Sequence, residues 1–373
     1  MKISINKDVL LEELSKASKI IDPKSFNPAL LGIHIEASFD KLVIISSNTS
    51  TSFKSDLINE NSDLVIDQPG KILVKPKFIL ELLRKLDSEF VTLSTFGENE
   101  LEIITKKSNL KVSILNFDDF PILGFVERGI ELSINPQEFK NTLNQTINSI
   151  SMYNQKVVLT GMNLKIKDNK ISFVTTDLFR VSLKEITLNE NTSEEIDIII
   201  PHKTLLELSR LIDNVNDFKI IMHDGNATFK LDNNLLQSTL IEGRYPNVYS
   251  AFPVTHEIKL ELNARTILKV LSRFELTTDS NIASVVNLDI GVSEIILKAT
   301  IAETAKYEEK FTDYKFEGST SLNINFNTKY LIEAIRTFDD QLIYMTFNTQ
   351  NKPVLITGAQ KRDLKQVVLP TYA

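Results

Sequence analysis

Two hydrophobic rhythms alternate along this chain. Stretches such as KLVIISS (41–47) and FVTLSTF (90–96) place apolar residues at every second position, the period of a half-buried strand. Between them lie runs with apolar residues three and four apart, the period of a helix with one buried face. These runs predict helices over 7–20, 76–86, 136–150, 202–212, 264–275 and 328–338. Turn signals such as GEN, KDN and DGN separate the strands. Each half-domain reads strand, helix, strand, strand, strand, so six helices accompany roughly two dozen strands. The expected class is α+β, with helices on one side of antiparallel sheets.

The rhythm repeats at long range. KFILELLR begins at Lys77, KTLLELSR at Lys203 and KYLIEAIR at Lys329, with 126 residues between successive starts. Each carries Lys, Glu four later and Arg seven later, on one helical face. The opposite face is apolar: Leu80 and Leu83, Leu205 and Leu208, Leu331 and Ile335. A single such pattern is an ordinary solvated face with a weak i,i+4 ion pair of about 0.3–0.5 kcal/mol. Three at a constant interval mark a repeated domain. Asn6, Asn135 and Asn263 each end a short strand where a helix begins, as helix-capping asparagines do. The expected domains are 1–126, 127–254 and 255–373, each of two β-α-β-β-β halves. FPILGFVERG and AFPVTHE form the joins.

Charge sharpens this picture. The 373 residues carry a net charge of −7. The six predicted helices hold fourteen Lys or Arg against eight acids, a net +6, which leaves −13 for the rest. If the apolar faces cover the sheets, the basic faces form a surface that attracts phosphate without reading bases. Its residues are Lys77, Arg84, Lys140, Lys203, Arg210, Arg265, Lys269, Lys329 and Arg336. The chain has no cysteine, which excludes disulfides, thiolate nucleophiles and cysteine zinc sites. Its four histidines form no HExxH pair, and neither GxGxxG nor GxxxxGK[ST] occurs. We therefore expect no metal and no cofactor. No apolar run approaches membrane-spanning length and the N-terminus lacks a signal-peptide pattern, so the expected location is cytoplasmic.

One stretch departs from the repeat. VTTDLFRVSL (174–183) ends a strand in Asp177, Leu178, Phe179 and Arg180, where the first domain reads SSNTSTSFK and the third KATIAETAKY. A structural corner fixed by Asp177 and Arg180 is one reading. Exposed apolar residues in one copy only suggest a partner site as well. No base, nucleophile or metal ligand stands nearby in sequence, so catalysis is a poor fit. The residues alone also leave open an enzyme with a scattered active site and a repeat scaffold that binds no DNA.

Taken in order, ALLGIHIEA (29–37), FDDFP (117–121), LTGMNL (159–164), TTDLFRVSL, IEGRYPNVYSAFP (241–253), FNTKYLIEAI (326–335) and the terminal VVLPTYA resemble the bacterial sliding clamps, the β subunits of DNA polymerase III. The resemblance spans the chain. It implies a DNA-clamp fold, with helices lining a ring and antiparallel sheets outside, and a homodimer encircling duplex DNA as a processivity factor rather than an enzyme. It adds Lys24 to the DNA-facing residues. It implies a groove for short motifs of the replicative polymerase α subunit, the clamp loader and other clamp-binding proteins. The groove would be lined by Leu159, Thr176, Leu178, Phe179, Arg180, Val181, Pro246, Ala251, Tyr330, Val367, Leu369 and Pro370. Leu178 stands where the family often has a small residue, and Ser250 where a basic one can occur. The implied subunit joint sets Leu110 and Val112 against Leu276 and Thr277 of the partner.

Overall fold

A computed structural model describes the chain apart from residues 98, 118, 189–194, 276–282, 302–304, 319–320, 339–341, 350 and 372–373. Its six longer helices are α1 (Lys7–Ile20), α2 (Pro76–Lys85), α3 (Pro136–Thr146), α4 (His202–Leu211), α5 (Ala264–Leu271) and α6 (Thr328–Arg336). The expected ranges hold to within a turn. The predicted ends of the third and fifth tighten into 3-10 turns, Ile147–Ser149 and Ser272–Phe274, a common way to satisfy the last carbonyls.

Asparagines start three of these helices as expected. Asn6 Oδ1 accepts from the amides of Asp8 and Val9, Asn135 Oδ1 from Glu138, and Asn263 Oδ1 from Arg265 and Thr266. Asn327 does the same for α6, accepting from Tyr330. Helix α2 instead begins with Pro76 and has no side-chain cap; its fixed φ suits the first helical position. The faces divide as the 126-residue pattern requires. Ile79, Leu80 and Leu83 are buried on α2, Leu205 and Leu208 on α4, Leu331 and Ile335 on α6. The i,i+4 ion pair is formed weakly on α6, where Lys329 and Glu333 stand 4.0 Å apart. On α4, Glu207 pairs instead with Arg210 at 2.6 Å.

The chain forms two compact units, residues 1–140 with 203–240 and residues 141–202 with 241–373. In the first, a five-stranded sheet ends in the edge strand Asn109–Ser113, and an eight-stranded sheet carries the main join. There Thr51–Ile58 pairs antiparallel with Asn234–Thr239, Ser52 facing Gln237. In the second unit a nine-stranded sheet is joined in the same way, by Arg180–Thr187 and Leu364–Val368, with Val181 facing Val367. A four-stranded sheet there ends in Ala305–Phe311. Strands distant in sequence thus join the two larger sheets, and the compact units cut across the repeat.

The cap assignment makes a prediction. Replacing Asn263 by Ala leaves the first amides of α5 without their acceptor and should cost about 1 kcal/mol, read as a lower urea midpoint. An unchanged midpoint would show that the cap contributes nothing.

Candidate functional site

The stretch that broke the repeat is a tight turn between Lys170–Thr176 and Arg180–Thr187. Side chains build it. Thr176 Oγ1 accepts from the amide of Leu178 at 3.0 Å and donates to the carbonyl of Arg180 at 2.7 Å. Asp177 Oδ1 accepts from the amides of Phe179 and Arg180, both at 3.0 Å. Leu178 is thereby held at φ 77°, a left-handed conformation uncommon for any residue with a Cβ. This explains why a small residue would suit the position. Below, Tyr245 supports the turn: its hydroxyl accepts from the amide of Thr176 at 3.0 Å and faces the carbonyl of Gly161 at 3.5 Å. Burial pushes the Tyr245 phenol pKa up, so the group stays a protonated donor.

The first domain contains the same turn with other contents. Ser47 Oγ accepts from the amide of Thr49 and donates to the carbonyl of Thr51, while Asn48 Oδ1 accepts from the amides of Ser50 and Thr51. Thr49 has φ 79°. Even the anchor below is repeated: Ser46 Oγ donates to the carbonyl of Ala17, and Thr175 Oγ1 to that of Thr146. Backbone and bonds match, so the difference lies in the outward side chains, Thr49 and Ser50 against Leu178 and Phe179. The third copy of this segment includes 302–304, outside the described residues.

All twelve expected groove residues fall in the second unit, at three depths. Leu178 and Phe179 are exposed, at 49% and 60%. Pro246, Ala251, Tyr330, Leu369 and Pro370 are half-buried. Leu159, Thr176, Val181 and Val367 are buried and serve as backing. Val181 and Val367 pack with Val174, Leu183 and Val248, and Tyr245, Ala251, Phe252 and Leu369 lie against them. The C-terminal segment is tied to the turn, since Leu369 donates its amide to the carbonyl of Phe179 at 2.9 Å. Leu369 and Pro370, with Asn323, Asn325, Asn351 and Pro353, also line a cavity of about 400 Å³. Arg180, too, is buried rather than lining a groove. It is 8% exposed, and its guanidinium bonds Asp177 at 3.0 Å, Glu333 and the carbonyl of Asn148. The guanidinium carbon also lies 4.2 Å from the centre of the Tyr330 ring. Tyr245, Val248 and Glu333 were not among the expected site residues, although the first two lie in the IEGRYPNVYSAFP stretch.

In the first unit the position of Val367 is held by Gln237. Its Oε1 accepts from the amide of Val126 at 2.6 Å and its Nε2 donates to the carbonyl of Gly124 at 2.9 Å. Lys54 adds a contact to Glu127 at 3.3 Å. The chain's own segment is gripped where the second unit carries an apolar wall.

Of the expected DNA-facing residues, all but Lys140 are exposed; Lys140 is half-buried and paired with Asp213. Arg84, Arg210 and Arg336 lie in the last turns of α2, α4 and α6, where the helix dipole favours a cation. Leu110 and Val112 are half-buried on the edge strand Asn109–Ser113. Leu276 and Thr277 lie outside the described residues.

Paired α+β halves repeated along the chain, a basic helix face and an apolar turn whose first-domain counterpart is polar define a clamp-type accessory protein of DNA replication. Family models agree in three consecutive blocks: the DNA polymerase III beta subunit N-terminal domain matches residues 1–124, its central domain 133–247 and its C-terminal domain 249–372. The beta sliding clamp of Mycoplasma capricolum subsp. capricolum is 45% identical over 372 residues, covering 100% of this chain and 99% of that protein. That of Staphylococcus aureus is 28% identical over 374 residues, covering 99% of each. The crystal structure of the Bacillus subtilis sliding clamp matches with a TM-score of 0.94 at 27% identity, over 100% of this chain and 99% of that one. The chain belongs to the DNA polymerase III beta subunit family, the bacterial sliding clamps. Its function is that of a processivity factor, an accessory to the polymerase with no catalytic step of its own.

Tyr245→Phe tests the support of the turn. The buried Thr176 amide loses its acceptor, which should cost about 1–3 kcal/mol. Urea unfolding followed by circular dichroism reads it as a lower midpoint.

Proposed function

We propose that two copies of this chain join head to tail into a ring around duplex DNA, in the cytoplasm, with the basic helix faces inward. The repeats 1–126, 127–254 and 255–373 are its building units, six to a ring, and heterologous contacts close when their rotation does. The joint would use Leu110 and Val112 on the edge strand Asn109–Ser113, against Leu276 and Thr277 of the partner. An unpaired strand edge carrying half-buried apolar residues favours such an addition. Inside the ring, Lys24, Lys77, Arg84, Lys140, Lys203, Arg210, Arg265, Lys269, Lys329 and Arg336 would meet phosphate and leave the bases unread.

The turn at 176–180 and the C-terminal strand would then form the groove for the polymerase α subunit, the clamp loader and other proteins with the same short motif. The observation that carries this reading is the pair Leu178 and Phe179, exposed on a turn whose repeat-equivalent is polar. Around them Pro246, Ala251, Tyr330, Leu369 and Pro370 supply half-buried walls for a ligand with a Gln and two hydrophobic side chains. A few buried apolar anchors carry most of the affinity of such contacts.

Two experiments test this. Changing Lys77, Lys203 and Lys329 together to Glu should shorten retention on closed circular DNA, and the deficit should shrink as salt rises and screens the wild-type contacts. Unchanged retention would remove these helices from the DNA-facing surface. In a fluorescence titration with a labelled polymerase C-terminal peptide, deleting 369–373 should abolish binding and leave the dimer intact. Phe179→Ala should weaken binding less, by about tenfold, a loss of one anchor. Equal affinity for wild type and both variants would make the turn a structural corner alone.

A further inference from the structure

Arg180 is buried inside the site, and each of its three guanidinium nitrogens donates a hydrogen bond. Its donors reach oxygens on three separate segments: Asp177 in the turn, the carbonyl of Asn148 beyond α3, and Glu333 on α6. The same guanidinium lies over the Tyr330 ring, one helical turn before Glu333. A planar fork held this way has one orientation, and what stacks on it is oriented too. Any ligand in the groove meets Tyr330, while Arg180 is covered.

The repeat shows what the arginine is not for. The turn at 47–51 has counterparts of the four side-chain bonds by which residues 176 and 177 hold the backbone of 178–180, and Thr51 stands where Arg180 does. The turn therefore forms without an arginine. The acid is nonetheless kept, since Glu207 occupies on α4 the place of Glu333 on α6 in the Lys–Glu–Arg pattern. Lacking an arginine from the turn, Glu207 bonds Arg210 of its own helix, and its Oε2 has no hydrogen-bond partner among the described residues. The arginine is thus added in the copy that carries the apolar residues, and it links the turn to α6.

Resting on the groove reading above, we propose that Glu333 is a positioning residue for partner binding. It fixes Arg180, Arg180 fixes the Tyr330 ring, and the groove's affinity is set in part by a carboxylate that the ligand does not touch. Glu333 lies on the helix that carries Lys329 and Arg336, so groove affinity depends on the placement of a helix assigned to DNA.

The test uses the full-length chain and the labelled polymerase C-terminal peptide. Glu333→Gln and Arg180→Lys should each weaken binding about five- to tenfold, the size of coupling expected between touching residues. Amide exchange at 178–180 should stay slow, because the turn keeps its own bonds. In a Tyr330→Leu background, adding Glu333→Gln should cause no further loss. Should Glu333→Gln fold poorly, Arg180→Lys in the same two backgrounds carries the test. Wild-type affinity in both Glu333→Gln and Arg180→Lys, an undiminished loss in the Tyr330→Leu background, or a loss accompanied by fast exchange throughout the turn would each overturn the proposal. If the peptide binds wild type, is weakened by Phe179→Ala and is indifferent to Glu333→Gln, the positioning role alone fails. If wild type does not bind it, the groove reading falls and this inference with it.

Discussion

The rest of this structure depends on closing sheet edges. A strand at the end of a sheet leaves a row of backbone donors and acceptors unsatisfied, and a protein made of small repeated half-sheets has many such ends. Here the ends at Thr51–Ile58 and Arg180–Thr187 are closed by strands from far along the chain, Asn234–Thr239 and Leu364–Val368. That pairing brings the C-terminal residues beside the 176–180 turn and so assembles the candidate groove. It also brings Gln237 to the corresponding place in the other unit.

The helices were legible in the sequence because their signals are local. Apolar spacing fixes the buried face, an asparagine fixes the start of four of the six, and the recurrence of Lys, Glu and Arg at 126 residues fixes the repeat. The compact units were not legible. Sequence similarity counts copies of a domain, whereas compactness follows strand pairing, and no local pattern announces which distant strand will close an edge.

The site divides on the same line. Leu178 and Phe179 stood out as apolar departures in one copy of a repeat, and both are exposed. Arg180 stood out for the same reason, yet its depth depends on Glu333, 153 residues away, and on a main-chain carbonyl that has no sequence signature. Tyr245 is equally silent: it reads as one aromatic in a loop until the Thr176 amide is seen to rest on its hydroxyl. The left-handed φ of Leu178 was hidden too, because four side-chain bonds hold a conformation that its residue type disfavours.

The grip of Gln237 on the segment around Val126 bears on valency. A duplicated scaffold would ordinarily offer its socket twice, and two sockets per chain would let rivals sit side by side. With the first-domain copy polar and crossed by the chain's own backbone, only one of these two described copies offers the proposed socket. Partners of the groove proposed above would then succeed one another there, in an order set by residence time and local abundance.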